Sequence, residues 1–86
     1  MKINSNYEVR NIGGIDIIVP VGGDMSLSGV ITLNDSALFI WNALKEDITI
    51  DELVEKVCVE YDAPKDVIKA DVEEIIEKFK EHNLVI

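Results

Sequence analysis

Few side chains in this 86-residue sequence could do chemistry: it has one cysteine, Cys58, and one histidine, His82. A single thiol and a single imidazole cannot build a metal cage, and no carboxylate cluster has ligand spacing. Cys58 falls within the apolar stripe of a helical pattern, where a free cysteine behaves as a small buried hydrophobe. His82 stands near a helix C-terminus, a place the helix dipole favours for an imidazole at the surface. Gly13-Gly14 and Gly22-Gly23 are turn chemistry, since neither carries the Gly-rich pattern and Lys of a phosphate loop. The Asp and Glu runs near the C-terminus read as the solvated face of a helix. The sequence therefore predicts no enzyme, no metal and no cofactor.

Asp35-Ser36-Ala37-Leu38 at a helix start invites one comparison. Small acidic carrier proteins present Asp-Ser-Leu at such a place, where the serine receives a phosphopantetheine arm. Here Ala37 follows the serine, and the preceding segment reads as strands where carriers have a long first helix. The carrier reading is set aside.

The elements that must position any site follow from local patterns. Tyr7 to Ile12 alternates apolar and polar residues, and Gly13-Gly14 supplies the positive φ angles of a tight hairpin turn. Ile15 to Val21 resumes as a strand, with Ile15, Ile17, Val19 and Val21 expected on one face. Pro20 cannot donate to a ladder and should sit at a bulge or where the strand leaves the pairing. A loop of small residues, Gly22 to Gly29, leads into a third strand, Val30 to Leu33.

Asn34 is a good N-cap, and Asp35 favours the positive end of the helix it opens. That first helix, Asp35 to Glu46, is apolar nearly all round, with Phe39 and Trp41 as expected core anchors. Thr49-Ile50-Asp51-Glu52 fits a capping box, with Ile48 and Leu53 placed as a hydrophobic staple. The second helix it opens carries Ile50, Leu53, Val54, Val57, Cys58 and Tyr61 on one stripe, after a tight Asp47-Ile48 connection. The third helix runs from Pro64 to His82, and its apolar positions span close to half the circumference. That exceeds what packing against two helices requires, so part of the stripe is expected to line a groove, with Asp71 and Lys78 on one flank of it. Leu84-Val85-Ile86 should pack back over the core. Three antiparallel strands followed by three helices make an α+β, winged helix-turn-helix-like unit, read as one domain over residues 1–86.

Bulk composition narrows the partners. Seventeen acids against eight bases give a formal charge of −9, which repels DNA and acidic membrane surfaces. The bases are scattered and form no cluster. A lone cysteine allows no internal disulfide and suits a reducing cytoplasm. Residues 1–6 lack the apolar run of a signal peptide, and no segment has the length of a membrane span.

Ile31-Thr32-Leu33-Asn34 before a helix containing Ile40-Trp41, then Glu60-Tyr61-Asp62, Ala70-Asp71-Val72 and His82-Asn83-Leu84-Val85, resemble the PqqD-like family. That family comprises pyrroloquinoline-quinone biosynthesis protein D and related precursor-peptide recognition elements. The resemblance implies a non-catalytic module that holds the leader of a ribosomally made precursor peptide and presents it to a modifying enzyme, often a radical-SAM enzyme. It also implies that the leader adds as a β-strand along strand three, in a groove closed by helix three. In this sequence the implied edge is Gly29, Val30, Ile31, Thr32 and Leu33, and the implied wall is Ile68, Asp71, Val72 and Ile75.

The residues by themselves are compatible with that mode. An exposed edge strand offers unpaired N–H and C=O groups, and β-augmentation uses them for affinity. Proline at Ile31 is expected to delete a donor the peptide needs. The same edge would also allow self-pairing into a homodimer. A competing reading is a winged-helix DNA-binding or regulatory module, which the fold alone suggests. It would need exposed Lys and Arg on helix two or three, where Glu and Asp dominate.

Overall fold

A computed structural model describes residues 1–21 and 31–86. The order of elements is β1 (Tyr7–Ile12), β2 (Ile15–Pro20), β3 (Ile31–Leu33), α1 (Asp35–Ala43), α2 (Ile50–Tyr61) and α3 (Lys65–Glu81). The expected Gly22–Gly29 loop and the first residue of the expected third strand, Val30, lie outside the described residues. The strands form one antiparallel sheet in the order β1-β2-β3, so β2 is central.

The hairpin forms as the glycines dictate. Gly13 and Gly14 have φ of 60° and 85°, the pair of positive angles a two-residue type I′ turn demands and only glycine adopts freely. Pro20 ends β2, where its missing N–H costs no interior ladder bond.

The two faces of β2 meet different surroundings. Ile18 is the β2 residue that enters the main core, flanked by Val9 on β1 and Ile31 on β3. Ile17 and Val19 are buried on the other face, outside that cluster, whereas Ile15 and Val21 are exposed. Ile15, Ile17 and Val19, expected together on one face, thus lie opposite Ile18 and the main core.

Asn34 caps α1 as its side chain predicts, its Oδ1 accepting the Ala37 N–H at 2.9 Å. The helix stops at Ala43, three residues before the expected end at Glu46. Trp41 is fully buried and meets Phe79 of α3 edge-to-face, with ring centroids 5.8 Å apart. Phe39 is only half-buried and makes its own edge-to-face contact with Tyr61 at 5.8 Å. Trp41 thus anchors the core, and Phe39 ties α1 to the end of α2.

The capping box of α2 is complete: Glu52 N–H donates to Thr49 Oγ1, and Thr49 N–H donates to Glu52 Oε1, each at 3.2 Å. Ile48 and Leu53 are both buried in the core cluster, as a staple requires. Cys58 is half-buried at the margin of that cluster rather than enclosed by it.

Helix α3 ends in a Schellman motif. Asn83 takes the left-handed conformation (φ 58°) and donates to the Lys80 carbonyl at 3.0 Å, while Leu84 N–H reaches Phe79 at 2.8 Å. The turn drives Leu84 into the core beside Phe79. Beyond it, Val85 pairs antiparallel with Ile3, with Lys2 and Ile86 exchanging bonds of 3.0 and 2.8 Å. The Met1 ammonium meets Asp47 Oδ1 at 2.7 Å and holds that exposed carboxyl below its ordinary pKa. A depressed carboxyl favours the fold above its unfolded pKa and loses that contribution as the pH falls through its folded value.

Removing the α2 cap tests this local account. Thr49→Ala is expected to lower stability by about 1 kcal/mol in urea unfolding, with Glu52→Ala giving a smaller loss.

Candidate functional site

The turn at Gly13-Gly14 fixes which backbone groups of the sheet remain free. A two-residue turn closes on a hydrogen-bonded pair, so Ile12 and Ile15 bond to each other. Bonded pairs alternate along an antiparallel ladder, which makes Arg10–Ile17 and Glu8–Val19 bonded as well. The Val21 N–H donating to the Asn6 carbonyl at 2.9 Å continues the same alternation.

Residues between these, Asp16 and Ile18, must turn their backbone groups toward β3. Their partners there are Leu33 and Ile31. Thr32 lies between the two, so its N–H and C=O both point away from the sheet. This corrects the expectation at Ile31, whose N–H belongs to the ladder with β2. Among the described residues, Thr32 is the one that presents a free edge. Asn34 has the same parity, but its carbonyl is occupied by the Leu38 N–H at 2.9 Å. The edge is therefore brief, and α1 closes it.

Two adjoining clefts run between this edge and α3. The first, about 300 Å³, is lined by Ile31, Thr32, Leu33, Asn34, Ala37, Ile75, Lys78, Phe79 and His82. The second, about 440 Å³, continues past Asn34 and Ser36 to Tyr61, Ile68, Asp71, Val72 and Glu74, sharing Ile75 and Lys78 with the first. Neither of the two includes a residue of β1, the other edge of the sheet. The N–H of Tyr7 on that strand is already bonded to the Asn4 carbonyl at 3.1 Å.

The expected site residues separate on this surface. Ile31, Thr32 and Leu33 line the first cleft, and Gly29 and Val30 lie outside the described residues. Ile68 and Val72 are buried to 6% and 1% exposure, so they form the floor of the second cleft. Asp71 is exposed at its rim, and half-buried Ile75 joins the two clefts. Asn34, Ala37, Phe79 and His82 were not expected, whereas Lys78 was placed with Asp71 on the flank of the α3 stripe and lines both clefts. His82 does carry a sequence signal: Asp71, Ile75, Lys78 and His82 are spaced four, three and four apart, one stripe of a helix.

Polar demands within the clefts are light. Among the described residues, no buried side-chain nitrogen or oxygen lacks a partner, and no group of three His, Cys, Asp or Glu is placed to hold a metal. What the surface offers is an edge, an apolar seat formed by Ala37, Ile75 and Phe79, and charges along its rim. Such an arrangement has the shape and length to suit an extended chain.

The model of coenzyme PQQ synthesis protein D matches residues 17–85, four-fifths of the chain and all of the site. The chain belongs to the PqqD family. No functionally curated protein matches it. Solved structures with the same fold include TbiB1 in complex with the TbiA(beta) leader peptide, 19% identical with a TM-score of 0.75 over 98% of this chain and 93% of that one. They also include lasso peptide synthetase B1 complexed with its leader peptide, 15% identical with a TM-score of 0.75 over 99% of this chain and 95% of that one. At these identities the likeness is one of fold.

Amide exchange in the free protein tests the edge assignment. The Thr32 amide is expected to exchange faster than those of Ile31 and Leu33, which the ladder protects. Equal protection across the three would mean that the parity is wrong.

Proposed function

We propose that this PqqD-family chain is a non-catalytic carrier of a ribosomally made precursor peptide. It binds the leader as an added strand on β3 and presents the remainder to a modifying enzyme of the radical-SAM class in the cytoplasm. The observation that carries the reading is the free backbone of Thr32 standing over a cleft walled by α3. The fold shared with two leader-peptide complexes supports it.

Magnitudes divide the labour. The two backbone bonds that Thr32 can make contribute about 0.5–1.5 kcal/mol each after exchange with water. Burying one leucine-sized side chain in the cleft contributes about 1.5–3 kcal/mol. The edge sets register, and the cleft provides at least as much affinity together with the choice of sequence. Catalysis is not required of such a surface.

DNA binding is the weaker reading. Helix α2 carries four acids and one lysine, and α3 six acids and four lysines, so neither offers phosphates a basic surface.

Backbone and side chain at the edge can be separated. Thr32→Ala keeps the N–H and is expected to bind a fluorescently labelled leader of its precursor as the parent does. Thr32→Pro removes the N–H where proline is tolerated, on the solvent side of an edge strand, and is expected to weaken binding at least tenfold, about 1.4 kcal/mol. Undiminished binding by a folded Thr32→Pro protein would remove β3 as the acceptor. Tight binding of duplex DNA at low salt would favour the other reading.

A further inference from the structure

The rim of the two clefts is electrically polarised. Asp71 and Glu74 stand on the second cleft, His82 on the first and Lys78 on both, with apolar Ile75 between the acids and Lys78 along the helix. Lys78 is not held elsewhere by a strong partner: its ammonium lies 3.8 Å from Glu74, and both side chains are about 70% exposed, so that pair contributes little. Asn34 and Ala37 bring the N-terminal end of α1 to the first cleft, an end that attracts negative charge. The C-terminal carbonyls of α3 oppose this, but Lys78 and Lys80 in its last turn offset them.

Building on the leader-binding reading, we propose that the leader carries a matching polarity: a basic residue, then an aliphatic one, then an acidic one, at alternate positions of the added strand. From Asp71 to His82 the helix rises roughly 16 Å at about 1.5 Å per residue. That is the length of about five strand residues at about 3.3 Å each, so the three side chains on one face of the strand match the three zones of the rim. The aliphatic side chain enters the seat of Ala37, Ile75 and Phe79, and the acidic one reaches Lys78 and the imidazole of His82.

Direction follows from the single outward residue. In an antiparallel pair, one opposing residue exchanges both bonds with Thr32; a parallel strand must divide them between two residues. Ile31 borders the His82 end of the clefts and Ser36 the Asp71 end. An antiparallel leader therefore runs from Asp71 toward His82, with its basic residue first and its acidic residue last. A protein of charge −9 thus selects an acidic side chain at one point of its surface, against its overall field.

A random-peptide library displayed on phage and selected against the folded protein tests this. Binders should share Lys or Arg, an aliphatic residue and Asp or Glu, in that order at alternate positions, and Thr32→Pro should lose them. Lys78→Glu, at an exposed position, should weaken individual binders about threefold to tenfold and shift a new selection toward Lys or Arg at the last position. Binders that depend on Thr32 but show no charge order, the reverse order, or no response to Lys78→Glu would overturn the polarity and leave the leader-binding reading standing. Failure to select binders, or binders indifferent to Thr32→Pro, would overturn both.

Discussion

Everything proposed for this chain depends on a matter of parity set at one turn. Gly13 and Gly14 close the β1-β2 hairpin on a bonded pair, and alternation carries that phase across β2 to β3. A turn longer by one residue would exchange the inward and outward sets. Ile31 and Leu33 would then face solvent with their backbone groups, and Thr32 would be consumed by the ladder. The glycines lie at the far end of a hairpin from any ligand, yet they decide which amide a ligand can meet.

The second requirement is that the edge be framed and not merely exposed. A bare strand edge invites aggregation as readily as recognition. Here β3 is three residues long, α1 begins immediately after Asn34, and α3 stands across the cleft. The Trp41–Phe79 contact fixes α1 against α3, and the Schellman turn at Asn83 seats Leu84 under the end of α3. The pairing of Ile3 with Val85 closes the same end of the molecule. A rigid wall lets the cleft choose among side chains, which a mobile one would do poorly, because ordering it on binding would consume affinity.

Sequence patterns reveal those parts of this molecule that depend on near neighbours. The hairpin, the Asn34 cap, the Thr49 capping box and the excess apolar arc of α3 are all local, and each is visible in a few consecutive residues. In β2 alternation marks two faces without saying which one the helices cover. His82 was not foreseen in the site, since its role depends on where α3 lies relative to β3. Ile68 and Val72 share a helical stripe with Ile75, but only Ile75 remains partly open, which depends on how α3 packs and not on the stripe itself. Thr32 was named with its neighbours as a strand, and only the pairing register separates it from Ile31.

The central claim is that a leader peptide completes the sheet at Thr32. Intermolecular nuclear Overhauser effects between the backbone of an isotope-labelled leader and the protein test it most directly. The account predicts cross-strand contacts from the leader backbone to Thr32, together with side-chain contacts to Ile75 and Phe79. Leader contacts confined to the outer edge of β1 or to the exposed faces of α2, with none at Thr32, would contradict it.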